Sequence, residues 1–195
     1  MAPDTPANGR PVRERLLDAA GSLFYREGIR AVSADKIIAA AGTTKVTFYR
    51  HFPTKDDLVA AYLEEQSRRI RDAAGALPDD PCEALTALAS AMGEEACRPG
   101  FRGCPFINAA AEYPDPGHPV RAAIDRHRTW FHALVAGLVA RLGAPDPEAA
   151  ASQLVMLRDG AMVHGYVSEP DSVGISLLQA GRAVLRFHAP AAVTG

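Results

Sequence analysis

The chain has 195 residues, 48% of them hydrophobic and 23% charged, with a formal net charge of −2 at pH 7. This suits a soluble globular protein of one domain or two small ones, and no apolar run reaches the roughly 18 to 20 residues of a membrane span. The start, MAPDTPANGR, lacks the basic beginning and apolar core of a signal peptide, and three cysteines without regular spacing argue against a disulfide framework and for a reducing cytoplasm.

The small net charge hides an asymmetry. Residues 1–55 hold nine Lys or Arg against five Asp or Glu, a balance of +4, which leaves −6 for residues 56–195. All three lysines, Lys36, Lys45 and Lys55, lie in the first part. A basic head on an acidic body suits phosphate binding by one end.

In chain order, residues 1–10 read as a disordered arm. Pro11 suits a first helical position and Gly28 a helix end. Between them Leu16, Leu17, Ala20, Leu23 and Phe24 recur at helical spacing. Two short helices follow, joined by Ala41-Gly42-Thr43. Ser33 is placed to cap the first, and Thr43 or Thr44 the second. The second then presents Lys45, Thr47, Tyr49, Arg50 and His51 beside a buried Val46 and Phe48. Thr54-Lys55-Asp56-Asp57-Leu58 opens a longer helix that runs to about Ala76, with a strongly charged middle from Glu64 to Asp72. Pro78-Asp79-Asp80-Pro81 is a break. Helices are then expected from about Pro81 to Cys97, Phe106 to Glu112, His118 to Leu142, Glu148 to Ser168 and Val173 to His188. Residues 189–195 read as a frayed tail. The expected fold is all-α, with about nine helices.

A short second helix with polar, basic and aromatic side chains exposed is what major-groove reading needs. Over roughly residues 10–63 the chain resembles the DNA-reading head of the TetR family of bacterial repressors. The resemblance rests on the Arg10-Pro11 to Gly28 start, Ser33 opening the second helix, and the Ala41-Gly42 turn. It rests also on Thr47-Phe48-Tyr49-Arg50-His51-Phe52 and the Lys55-Asp56-Asp57-Leu58 entry. One departure is Ala34-Asp35-Lys36-Ile37, where an apolar and then a small residue is more usual around Asp35. The resemblance implies a three-helix helix–turn–helix DNA-binding domain at 11–53 and a helical ligand-binding and dimerisation domain at 54–188. It implies a homodimeric repressor on a palindromic operator in double-stranded DNA, released by a small, mainly apolar effector. No cofactor, metal or membrane belongs to that expectation.

DNA contact is expected from Ser33, Thr43, Thr44, Lys45, Thr47, Tyr49, His51 and Lys55. Thr44, Lys45 and Thr47 would face the groove: lysine donates to guanine O6 or N7, and a threonine methyl meets thymine's. Tyr49 and His51 would hold phosphates, and Lys55 adds charge at the next helix start. The plain alternative is a solvent-facing polar helix.

In the body, the set Met92, Phe101, Phe106, Trp130, Phe131, Met156, Met162 and Tyr166 is mostly core. A bundle of this kind can also hold a cavity between helices, with Asn108, Arg128, Gln153 or Arg158 orienting a ligand. Phe106, Asn108, His127, Arg128, Trp130, Met156 and His164 are the expected ligand contacts. No histidine pair has the H-x3-H spacing of a metal site. Cys104, near Arg102 and a helix start, is either a packing residue or a thiol sensor, whereas Cys82 and Cys97 are expected to pack. Small residues Gly160, Ala161 and Gly165 permit close helix approach. With the resemblance they place a dimer interface at Leu157, Gly160, Ala161, His164, Leu177, Leu178 and Val184. The competing class is a helical enzyme, but no Ser-His-acid order, paired carboxylates or phosphate-cradling glycine loop stands out.

Overall fold

The computed structural model of the chain describes residues 10–168 and 170–190. It contains α1 (Val12–Glu27), α2 (Ala34–Ala40), α3 (Lys45–His51), α4 (Lys55–Ala74), α5 (Pro81–Ala96), α6 (Pro105–Glu112), α7 (Pro119–Arg141), α8 (Pro147–Val167) and α9 (Val173–His188). A 3-10 turn, Pro170–Ser172, leads into α9, and no strand occurs among the described residues. The fold is all-α, with a helix–turn–helix followed by a helical body. The arm and tail expected at the two ends fall mainly on residues 1–9 and 191–195, which lie outside the described residues.

Side-chain caps set most of the helix starts. Asp80 Oδ1 accepts from the Cys82 and Glu83 amides at 2.9 Å, with Pro81 in the first turn of α5. Asp146 accepts from the Ala149 amide at 3.0 Å ahead of Pro147 and α8. Before α4 the caps are reciprocal: the Thr54 amide donates to Asp57 Oδ2 at 2.9 Å, and the Asp57 amide donates to Thr54 Oγ1 at 3.1 Å. Each such cap is worth about 1 kcal/mol because it satisfies amides the helix cannot.

The chain divides into two compact units. One holds residues up to Arg69 together with Asn108–Ile124; the other holds Ile70–Ile107 and the chain from Asp125 onward. The boundaries fall inside α4, α6 and α7.

The core of the first unit is made by Leu16, Ala20, Leu23 and Phe24 of α1, Ile37 of α2, Phe48 of α3, and Leu58, Val59, Tyr62 and Leu63 of α4. The Phe24 and Tyr62 rings meet edge to face at 5.8 Å. Glu112, the last residue of α6, closes this unit. Its carboxylate accepts from the amides of Ile29 and Arg30 at 2.8 and 2.6 Å, between α1 and α2. Next to it, Tyr113 donates to Asp56 Oδ1 at 2.6 Å, and His118 Nε2 lies 3.3 Å from Asp56 Oδ2. Burial and the Asp56 carboxylate push the Tyr113 phenol well above its ordinary range.

In the second unit the core runs through Phe131, Val135 and Val139 of α7, Ala150, Ala151 and Val155 of α8, and Leu185 of α9. Leu85 and Met92 of α5 pack against it. The end of α5 lies against α8 and α9 at backbone distance: a Cβ on Gly93 would stand 2.6 Å from Gly174 Cα, and one on Gly165 would stand 2.8 Å from Ala96 Cβ. The close approach expected of Gly165 is therefore made within the protomer, where the residue is buried.

Replacing Glu112 by Gln removes the charge and turns one of the two acceptor oxygens into an NH2 donor, so one of the two hydrogen bonds is lost, and this should cost about 1 to 2 kcal/mol. The Ile29 and Arg30 amides should then exchange with solvent faster than their neighbours in α1. Unchanged protection of those two amides would mean that the carboxylate does not hold the α1–α2 connection.

Candidate nucleic-acid interface and body cavity

The helix–turn–helix is built from short pieces, each locked locally. Ser33 Oγ accepts from the Lys36 amide at 3.2 Å and starts α2. The turn passes through Gly42 at φ +59°, a backbone region that favours glycine. Arg15 of α1 holds that turn by donating from Nε to the Ala41 carbonyl at 3.2 Å and from Nη2 to the Gly42 carbonyl at 3.4 Å. Of the two candidate caps, Thr44 takes the position, accepting from the Thr47 amide at 3.2 Å. Phe48 is fully buried, with Tyr49 edge-on at 5.1 Å and Phe52 tilted at 6.3 Å.

Two expectations for α3 are reversed. Val46, expected in the core, is 78% exposed; Thr47, expected in the groove, is buried, and Thr44 Oγ1 lies 3.0 Å from its hydroxyl. The physical reason is the phase of the helix. With Phe48 pinned inward, position 47 falls on the shielded side under its cap and position 46 swings outward. The exposed face therefore carries Thr44, Lys45, Val46, Tyr49 and Arg50. Thr43 and His51 are half-buried. Lys45 Nζ lies 3.3 Å from Asp35, but both side chains are largely solvated, so the pair gives up little when a phosphate or base competes. Lys36 pairs with Glu27. Lys55 begins α4 half-buried, and burial lowers its pKa against the pull of Asp56 and Glu112.

The second unit contains a narrow apolar slot of about 70 Å³ between α5, α7, α8 and α9. Leu85, Leu88, Met92, Val135, Leu154 and Leu177 are among its walls, and two cations, Arg158 and Arg182, stand on it. None of the seven expected ligand contacts lines this slot. Met92, Phe131 and Arg158, from the wider body set, do.

The expected residues have other places. Phe106 is buried and stacks on His127 with centroids 3.7 Å apart. Trp130 is half-buried, 5.6 Å from His127, with the Arg71 guanidinium 4.9 Å from its ring. Arg128 donates to Asp159 at 2.8 Å. Asn108 is half-buried in the first unit. Met156, 65% exposed, and His164, also exposed, sit on the solvent side of α8. Both point outward because the inward phase of α8 is taken by Ala151, Val155, Met162 and Gly165.

Arg158 is the most elaborated group of this unit. Its Nη1 donates to Asp159 at 2.8 Å, its Nη2 lies 3.3 Å from Cys104 Sγ, and its guanidinium faces the Phe131 ring at 5.5 Å. Its Nε is buried without a hydrogen-bond partner. Burial would lower its pKa, but Cys104 and Asp159 outweigh that and hold it up. Cys104 is buried, and the arginine within reach of its sulfur is Arg158; the expected Arg102 donates to Tyr166 at 3.2 Å. Cys82 and Cys97, expected to pack, are exposed, since both occupy the solvated termini of α5.

Of the expected interface residues, Gly160 and His164 are exposed, while Leu157, Ala161 and Val184 are half-buried. Leu177 and Leu178 line the slot and so turn toward the protomer's own interior. Met156, Val163 and Val167 are exposed apolar residues that share one face of α8 with Gly160, at spacings of four, three and four. Among the described residues no group of three or more His, Cys, Asp or Glu could hold a metal, and no helix is long and apolar enough to cross a membrane.

With this geometry in place the likenesses to known proteins are specific. The family described as "Bacterial regulatory proteins, tetR family" matches residues 16–62, and "Tetracyclin repressor-like, C-terminal domain" matches residues 116–187. The chain is 45% identical to SCO4454, a TetR-family transcriptional regulator of Streptomyces coelicolor, over 91% of its own length and 96% of that structure, with a TM-score of 0.86. It is 30% identical to the TetR-type regulator sav143 of Streptomyces avermitilis, over 92% of its length and 98% of that chain, with a TM-score of 0.82. It is 24% identical to the HTH-type transcriptional regulator YjdC of Escherichia coli, over 90% of its length and 94% of that protein. The chain belongs to the TetR family of transcriptional regulators. Its relatives are DNA-binding regulators, and the enzyme alternative falls with that assignment.

Burial, with the charges of Arg158, Arg71 and Arg128, lowers the His127 pKa from 6.5 to about 4. The unfolded chain therefore takes up this proton first as pH falls. Stability from this group is full above pH 6.5 and is lost between 6.5 and 4. Urea unfolding should lose about 2 kcal/mol between pH 7 and pH 5 through this histidine. In His127→Phe that slope should flatten by the same amount; an unchanged slope would assign the pH dependence elsewhere.

Proposed function

We propose that this regulator is a homodimeric repressor acting in the cytoplasm. It would bind a palindromic operator through α3 and be released by a small, mainly apolar effector. In this reading residues 11–53 are the reading head and 54–188 the regulatory and dimerising part. The observation that carries it is the face of α3: seven residues, capped by Thr44 and anchored by Phe48, that turn Lys45, Val46 and Tyr49 to solvent.

The division of labour follows from side-chain chemistry. Lys45 donates to guanine edges and Val46 packs on a thymine methyl. Tyr49, His51 and Lys55 hold phosphates, while Ser33, Thr43, Thr44 and Thr47 position the two helices and their backbone. The effector acts only through its different affinity for the operator-competent and released states. Dimerisation is supported by the apolar stripe of α8, where Met156, Val163 and Val167 flank Gly160. A stripe of this kind is left exposed where another chain covers it.

Val46→Ala should relax base preference at one position of each half-site, at a cost of about 1 kcal/mol. Lys55→Ala should instead weaken binding to all duplexes alike and flatten the salt slope by about 1. Binding measured across a salt series on matched and mismatched duplexes separates the two effects. If neither variant departs from wild type, α3 is not the reading helix.

A Cβ on Gly160 would meet nothing within 4 Å, so a larger residue leaves the protomer intact. Gly160→Arg should therefore sediment as a folded monomer and lose operator affinity. An intact dimer would move the interface away from this face of α8.

A further inference from the structure

The slot in the second unit joins apolar walls to a cationic end. Its lining includes Arg158 and Arg182 and no carboxylate. Arg158 sits there with its charge incompletely matched: Asp159 is the one carboxylate shared between Arg158 and Arg128, which leaves a positive excess. Its Nε–H is buried and has no acceptor. A buried donor left in this state costs free energy that an incoming acceptor restores, and an anion gains most because the bond is then charge-assisted on both sides. The remaining wall is almost wholly aliphatic, from Leu85, Leu88 and Met92 on α5 to Leu177 on α9. The slot's 70 Å³ is well below the roughly 300 to 1,000 Å³ of sites that take drug-sized molecules. A slender chain can enter by shifting flexible side chains such as Met92, whereas a broad ring system must part the helices.

We infer that the effector is an aliphatic carboxylate, its chain lying in the slot between α5 and α9 and its carboxylate held by Arg158. This deepens the ligand-responsive reading above and rests on it. Arg158 also reaches Cys104, the residue directly before α6, and α6 ends at Glu112 on the Ile29 and Arg30 amides. A carboxylate that draws the guanidinium toward the slot loosens its hold on Cys104 and so acts on the start of that helix.

The test uses the full chain, with decanoate, decan-1-ol and decyltrimethylammonium as probes. Binding is followed by calorimetry, and release is followed on a duplex selected from random sequence. Decanoate should bind at least about tenfold more tightly than decan-1-ol, and the ammonium probe most weakly, as expected for a charge-assisted bond. Arg158→Gln should erase the gap between decanoate and decan-1-ol while leaving decan-1-ol binding in place. Leu177→Trp, which fills the slot from α9, should weaken both. The wild-type comparison alone decides the matter if Arg158→Gln does not fold. Equal affinity for decanoate and decan-1-ol, no binding of decanoate, or a preference that survives Arg158→Gln overturns the inference. Release of DNA by decan-1-ol alone would overturn it too, while leaving the ligand-responsive reading standing. Tight, Arg158-dependent decanoate binding that leaves operator affinity unchanged supports the site and sinks the induction reading instead.

Discussion

A seven-residue helix is not stable by itself in water, because the cost of nucleation exceeds what so few hydrogen bonds return. The DNA contact proposed for this chain is made by such a helix, α3, and the burial of Phe48 supplies the tertiary packing it needs. Phe48 is fully covered by the core of the first unit, and the Thr44 cap closes the amide end of the same helix. Arg15 ties the preceding turn to α1 through the Ala41 and Gly42 carbonyls. Once these three constraints act, the rotation of α3 about its axis is fixed. That rotation decides that Val46 and Lys45 face outward and that Thr47 does not.

The body combines close helix packing with a narrow apolar slot. Close packing is concentrated at one end of α5, where Gly93 and Ala96 meet Gly174 and Gly165 at distances that admit no further carbon atom. Along the rest of α5 the contacts are made by larger side chains such as Leu85 and Met92, whose rotamers can adjust, and here the slot opens. Placing a guanidinium beside it is costly. The cost is offset by Asp159, by Cys104 and by the face of Phe131, each of which touches Arg158.

Helix α6 is short but has a defined contact at each end. Cys104 precedes it within reach of Arg158, and Glu112 ends it on two backbone amides between α1 and α2. Tyr113 and His118, both on Asp56, add polar ties to the start of α4. Burial, with Phe106 stacked on the ring, and then the charges of three arginines keep the His127 imidazole neutral at ordinary pH.

Much of this was legible in the amino-acid order. The helices followed from apolar period, prolines and capping residues, because those signals are local: Ser33, Thr44, Asp80 and Asp146 act within three residues of themselves. The family resemblance followed from residues 33–58 for the same reason. What the order did not give was phase and convergence. Val46 and Thr47 are adjacent, and only the direction in which the core takes Phe48 tells which of them is exposed. Phe106 and Trp130 looked like cavity walls, but His127 occupies the space beside them. Leu177 and Leu178, expected at an interface, line a slot in their own protomer beside α5 and α7. Arg158 was one of four polar residues expected to orient a ligand, but its contact with Cys104, 54 residues away, has no local mark. Charge pairing, cavity shape and helix rotation are set by contacts between distant segments, and these exist only once the chain has folded.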